Sequence, residues 1–166
     1  MKFDRAPVLL AAALALALPM LAGCSRVEQA PAVAYTLLDG QRSDLATLRG
    51  HVVLVNFWAT DCAPCVEEMP AMVANWRRFS PQGFETLAVA VQTDPPALVS
   101  NFAQARALPF GVVIDNTGEV ARRFGNVQFT PTSLLINKRG EIVKRWVGKT
   151  DFATLAPLIA ELDGQV

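Results

Sequence analysis

The sequence predicts an α/β domain: a mixed central sheet with helices on both faces. Three observations carry this expectation. From residue 35 to residue 124, short apolar runs alternate with amphipathic helical stretches, the pattern of parallel strands joined by helical crossovers. Two further strand-like runs, 133–137 and 141–147, are separated by Lys138-Arg139-Gly140, a turn signal that makes them a hairpin. The run 52–57 reads Val-Val-Leu-Val-Asn-Phe. It is apolar at nearly every position, as a strand covered on both faces must be.

The chain begins with a segment that lies outside any fold. Lys2 and Arg5, diluted by Asp4, precede an apolar Leu/Ala run over 8–18. That run is shorter than the roughly 20 residues of a membrane span and reads as an export signal. Leu21-Ala22-Gly23-Cys24 follows. These residues resemble the lipobox of bacterial lipoproteins. The resemblance implies removal of 1–23 and lipid on the Cys24 sulfur, which would hold the protein to a membrane. The alternative is an ordinary signal peptide cut after Gly23, leaving Cys24 a spare thiol. Ser25, where an Asp favours retention at the inner membrane, points to the outer one. Residues 24–34 are polar, Pro-containing and aperiodic, a flexible tether of roughly 15–20 Å root-mean-square span. The domain is expected over 35–166.

Within the domain, 35–38 is a short strand closed by a turn at Asp39-Gly40, and 43–48 a single capped helical turn. Residues 65–79 place Val66, Met69, Met72, Val73, Trp76 and Phe79 on one helical stripe. Pro70 interrupts the stripe and predicts a kink. A strand over 84–91 precedes a helix over 97–108, with Asp94, Pro95 and Pro96 as start signals. A strand over 110–114, a short helix over 119–124, the hairpin, and an amphipathic helix over 151–162 complete the order.

Composition excludes several roles. Of the 166 residues, 15 are basic and 15 acidic. Without a basic patch, nucleic acid is not expected as a partner. Three cysteines are an odd number for an exported chain. A lipid on Cys24 accounts for the odd one and leaves Cys62 and Cys65 as a pair.

Cys62-Ala63-Pro64-Cys65 sits between a buried strand and a helix, where two thiols can close a disulfide and reopen it. Cys62 falls at the first position of the expected helix. Unsatisfied N–H groups and the helix dipole there favour a thiolate, which makes Cys62 the nucleophile and the more interior Cys65 the resolving thiol. Pro64 suits a first turn. A purely structural disulfide would close too short a loop to contribute much. Zinc would need two more ligands, and the chain has one His, His51, and no second Cys pair. His51, at the start of a strand, is expected to be solvated or capping.

The segment Asn56-Phe57-Trp58-Ala59-Thr60-Asp61-Cys62-Ala63-Pro64-Cys65 resembles the active-site segment of the thioredoxin superfamily. It is most similar to the exported TlpA/ResA/CcmG-like thiol–disulfide oxidoreductases. Pro70 matches that family's helix-kink proline, and Phe129-Thr130-Pro131-Thr132-Ser133-Leu134 resembles its second signature. The resemblance covers roughly 33–162 and implies a thioredoxin-like three-layer sandwich. It also implies a cis Thr130–Pro131 bond facing the thiols, with the Thr130 backbone pairing an extended substrate. It places an acidic residue at Glu68, one turn beyond Cys65, as a proton store with a raised pKa. Thioredoxins themselves keep a buried Asp six residues before the first Cys, where this chain has Asn56.

Asp61 departs from the family, which has Trp there. A negative charge about 7 Å from the Cys62 thiolate, at an effective dielectric near 40, repels it by about 1 kcal/mol. Asp61 is therefore expected to weaken the thiolate and make the protein more reducing. Trp58, with Phe57, is expected to pack around the site and tune it.

The resemblance implies a membrane-tethered reductant of extracytoplasmic protein disulfides, supplied by a membrane electron donor. Ala63-Pro64 lacks the His found between the cysteines of strong oxidants. Reduction of haem-attachment cysteines in cytochrome c maturation is the task it points to. No cofactor beyond the redox-active disulfide is expected, and a monomer suffices. A peroxiredoxin-like peroxidase would want Thr where Ala59 stands. A copper carrier on the same fold would space its cysteines by three residues and add a distant His.

Overall fold

The computed structural model describes residues 27–164. Five strands form the main sheet: β3 (Val52–Trp58), β4 (Phe84–Ala90), β5 (Gly111–Ile114), β6 (Thr132–Ile136) and β7 (Ile142–Val147), in the order β5-β4-β3-β6-β7. β3, β4 and β5 run parallel; β6 adds antiparallel to the other side of β3, and β7 pairs antiparallel with β6 at the edge. A small hairpin, β1 (Ala34–Thr36) and β2 (Arg42–Asp44), precedes them. This is the thioredoxin-like α/β architecture the sequence implies.

The parallel strands dictate where the helices go. α1 (Ala63–Phe79) joins β3 to β4, and α2 (Pro96–Ala105) joins β4 to β5. Both crossovers step in the same direction across the sheet, so the right-handed rule puts both helices on one face. α4 (Phe152–Asp163) joins them there. The opposite face is covered by α3 (Glu119–Arg123), the 3-10 turn Leu45–Leu48 and the N-terminal segment.

Every residue of β3 is buried. Strand alternation sends Val52, Leu54 and Trp58 to the α1 face, and Val53, Val55 and Phe57 to the other. Met69, Met72, Phe79, Leu155 and Ile159 fill the first layer; Val33, Tyr35, Leu134, Val120 and Phe124 fill the second. Asn56 is the polar exception on the α1 face of β3.

Three details differ from expectation. The tether was expected to reach residue 34, but 28–33 is docked. The Ile142 N–H donates to Glu28 C=O at 2.8 Å, the Ala30 N–H to Gly140 C=O at 2.9 Å, and Val33 is 5% exposed. The edge strand β7 has unpaired backbone groups, and this segment satisfies some of them. Secondly, α1 begins at Ala63, which makes Cys62 its cap, just outside the first helical position. Pro70 lies on the exposed face, and α1 continues through it to Phe79. Thirdly, the residue capping α2 is Pro95, with no side-chain cap; Asp94 turns elsewhere. The signal segment and Cys24 lie outside the described residues.

Candidate active site

The end of β3 delivers the site. The chain turns at 59–62, where the Cys62 N–H donates to Ala59 C=O at 3.3 Å, and enters α1. Cys62 and Cys65 are joined by a disulfide, with S–S 2.03 Å and Cα–Cα 5.3 Å. Cys62 adopts an extended backbone conformation, and its Sγ accepts the Cys65 N–H at 3.3 Å. A cap position aims free N–H groups at whatever the cap side chain carries. Once the disulfide opens, that donor is placed for a Cys62 thiolate. Pro64 occupies the first turn. Cys62 is half-buried, whereas Cys65 is 2% exposed.

The second signature arrives through the sheet. β6 runs antiparallel to β3, with Phe57 opposite Thr132. The start of β6 therefore lies beside the end of β3, which leads into the cysteine turn. The Thr130–Pro131 bond is cis, and the Gly148 N–H donates to Pro131 C=O at 2.8 Å. A groove of about 440 Å³ joins the two motifs, with Ala59, Asp61, Gln92, Arg122 and Thr130 among its walls. Phe129, the residue before Thr130, is 70% exposed. Asp61 is exposed. Trp58 is wholly buried beneath the turn, its ring 5.1 Å from Phe102. His51 is half-buried.

Glu68 is buried with 6% exposure on α1, three residues beyond Cys65. Its Oε1 accepts the Thr150 backbone N–H, and Oε2 faces the Thr150 hydroxyl at 3.4 Å. Burial pushes its pKa above the ordinary carboxyl value. The Thr150 N–H, the Thr150 hydroxyl and the charge of Lys149 pull against that in descending order. Lys149 is itself paired with exposed Glu67 at 2.6 Å.

A line of buried polar groups extends behind Glu68. Asn56 Nδ2 donates to Ser133 Oγ at 2.9 Å, and Ser133 Oγ lies 2.8 Å from Thr150 Oγ1. An amide N–H can only donate. With Ser133 accepting from Asn56, its own proton is free for Thr150, whose proton in turn points at Glu68. The line thus favours the ionised carboxylate, at the cost of an ordered buried network.

The structure brings Cys62, Cys65, Asp61, Trp58, Glu68, Thr130 and Pro131 to one end of the sheet. Sequence reasoning missed Thr150 as the partner of Glu68, Ser133 as the link from Thr150 to Asn56, and Asp94 as the partner of Thr60. One signal for the first was present: Asn56 and Ser133 are the polar interruptions of apolar strands, and they pair directly across β3 and β6. Among the described residues, no group of three or more His, Cys, Asp or Glu is placed to hold a metal ion.

The sequence profile of the Redoxin family matches residues 27–158. The thiol–disulfide oxidoreductase ResA of Bacillus thuringiensis subsp. konkukian is 36% identical over 123 residues, which is 74% of this chain and 69% of that one. A thiol:disulfide interchange protein of the thioredoxin family from Chlorobium tepidum superposes with a TM-score of 0.76 at 28% identity, over 84% of this chain and 99% of that one. The solution structure of a thioredoxin-like protein from Neisseria meningitidis gives a TM-score of 0.76 at 38% identity, over 81% and 90% of the two chains.

Proposed function

The chain belongs to the Redoxin family, in its TlpA/ResA/CcmG-like group, and is a thiol–disulfide oxidoreductase; from that premise we propose that it is a lipid-tethered reductant of protein disulfides outside the cytoplasm. The observation that carries the reading is the disulfide itself. It joins a half-buried cap thiol to a buried one, beside a groove that reaches the cis-proline loop.

In the reduced protein the Cys62 thiolate attacks one sulfur of a substrate disulfide, and the other leaves as a thiolate that takes a proton from solvent. Cys65 then loses its proton to Glu68 and attacks the Cys62 sulfur. The substrate's second thiol departs, and the Cys62–Cys65 disulfide of this structure is regenerated. Two electrons pass from protein to substrate, so a membrane electron donor must return two for each cycle. Extended substrate backbone pairs with Thr130 beside Pro131. Apocytochrome c cysteines awaiting haem are the substrate class this reading favours. A lipid on Cys24 holds the domain at a membrane, the outer one because Ser25 stands where an inner-membrane Asp would; among the described residues no helix is long and apolar enough to cross one.

The test is trapping. Cys65→Ala should stall the mixed disulfide and capture partners covalently through Cys62, whereas Cys62→Ala should capture none; the reverse pattern exchanges the two roles. A reduction potential near that of DsbA, about −120 mV, in place of one near thioredoxin's −270 mV, would reverse the proposed direction. Detergent-phase partitioning of intact protein against Cys24→Ser tests the anchor.

A further inference from the structure

Asp94 is a buried carboxyl group that the exchange reaction does not use. It follows β4, with 4% of its surface exposed, and belongs to none of the ion pairs among the described residues. Both of its oxygens are directed at one residue 34 positions away. Oδ2 accepts the Thr60 N–H at 2.6 Å, and Oδ1 accepts the Thr60 hydroxyl at 2.6 Å. A carboxylate can accept both donors at once, and bonds to an ionised acceptor are short and strong.

Thr60 lies inside the turn that presents Cys62. The strand below is tied by the Val91 N–H donating to Trp58 C=O at 3.0 Å. Beyond Thr60, the turn holds itself by the longer Cys62 N–H to Ala59 C=O bond at 3.3 Å. Asp61 and Cys62 are the next residues out. The Asp94–Thr60 pair is therefore the anchor between the nucleophile's turn and the loop after β4.

We infer that Asp94 is a positioning residue: by pinning Thr60 it holds Cys62 in place for Cys65 and favours the closed disulfide over the open dithiol. Two effects act in the same direction. A turn already held loses less freedom when the second sulfur–sulfur bond closes, which raises the effective concentration of one thiol at the other. A carboxylate behind the turn also opposes a thiolate forming in front of it. The inference rests on Cys62 and Cys65 cycling, and not on location, substrate or direction.

Equilibration with glutathione reads this directly. The protein disulfide plus two glutathione thiols gives the protein dithiol plus one glutathione disulfide, with two electrons and two protons conserved. Asp94→Asn keeps the shape but loses the charge and one acceptor. It should lower the equilibrium constant for disulfide closure about tenfold, a shift of roughly 30 mV toward a less reducing protein. Thr60→Val, losing only the hydroxyl bond, should give about a threefold change in the same direction. Thr60→Ser, which keeps both donors, should match the wild type. A residue that merely supports the fold would lower the stability of both redox forms equally and leave the potential where it was; that result overturns the inference. Should Asp94→Asn fail to fold, Thr60→Val decides alone, and an unchanged potential overturns it.

Discussion

A carboxyl group that is 6% exposed gains its charge against desolvation, and at Glu68 that cost outweighs the Thr150 donors and the field of Lys149. Its pKa is raised on folding. The stability it contributes is therefore fully present below the ordinary glutamate value and lost as pH rises through the raised one. Glu68→Gln removes that loss. In urea unfolding across a pH series, the variant should match the wild type at low pH and gain on it through the window where Glu68 ionises; an offset independent of pH refutes the assignment. If Glu68 takes the Cys65 proton as proposed, the same substitution should slow the resolving step and flatten its pH profile. Asp61 is expected to act on the other thiol. It is exposed, so its repulsion of a Cys62 thiolate is open to salt. Asp61→Asn should move the potential in the less reducing direction by up to about fivefold in the equilibrium constant, following the ~1 kcal/mol repulsion. High salt should move the wild type toward the variant and leave the variant still. If salt moves both alike, the charge is not the cause.

At the scale of the element, α1 ties its own start to the chemistry. Its cap is Cys62, the proposed nucleophile, and the cap bond runs from the Cys65 N–H to Cys62 Sγ. Serine is a good cap and alanine a poor one, so Cys62→Ser should exceed Cys62→Ala in stability by about 1 kcal/mol in chemical denaturation, both with Cys65 reduced. Equal midpoints would mean that the cap contributes nothing. The strands and helices were largely legible because their signals are local: a β-branched run at β3, an apolar run at β4, a three-and-four stripe along α1, Gly140 in the β6–β7 turn. Contacts between elements were not legible. Asn56 and Ser133 are 77 residues apart, Glu68 and Thr150 82, Thr60 and Asp94 34. A polar residue inside an apolar strand hints at Asn56 and Ser133, but which residues meet is set by strand register for that pair and by the path of the folded chain for the other two. Asp94 shows the cost of reading locally. An Asp before two prolines is an ordinary helix-start signal, yet its side chain is taken by Thr60 and α2 starts at Pro96 without a side-chain cap. The cysteine site, by contrast, was readable because disulfide exchange needs its thiols close in sequence and at a helix start.

For the whole molecule, the consequential difference lies at the N-terminus, where chain expected to be loose is part of the fold. Glu28 pairs with Arg145 at 2.7 Å, Gln29 bridges Glu141, and the Leu45 N–H donates to Val33 C=O at 3.1 Å. Ala30 and Val33 close the second core layer against β3 and β6. With lipid on Cys24, as proposed, only residues 25–27 separate the anchor from the first docked residue. That allows at most roughly 15 Å of extended chain, so the domain would sit against its membrane with little room to roam. Substrates and the electron donor would then have to approach from one side. The docking itself is testable without any membrane. Starting the chain at Val27 should leave stability unchanged, because the docked residues remain. Starting it at Ala34 removes the Val33 side chain and the backbone bonds that cover β7. The loss should be about 2–4 kcal/mol, from one buried aliphatic side chain and a few hydrogen bonds. It should appear as a lower urea midpoint in both redox forms, with the potential unmoved, since the segment lies away from the cysteine turn. Equal midpoints for the two truncations would restore 28–33 to the tether and lengthen the reach of the anchored domain.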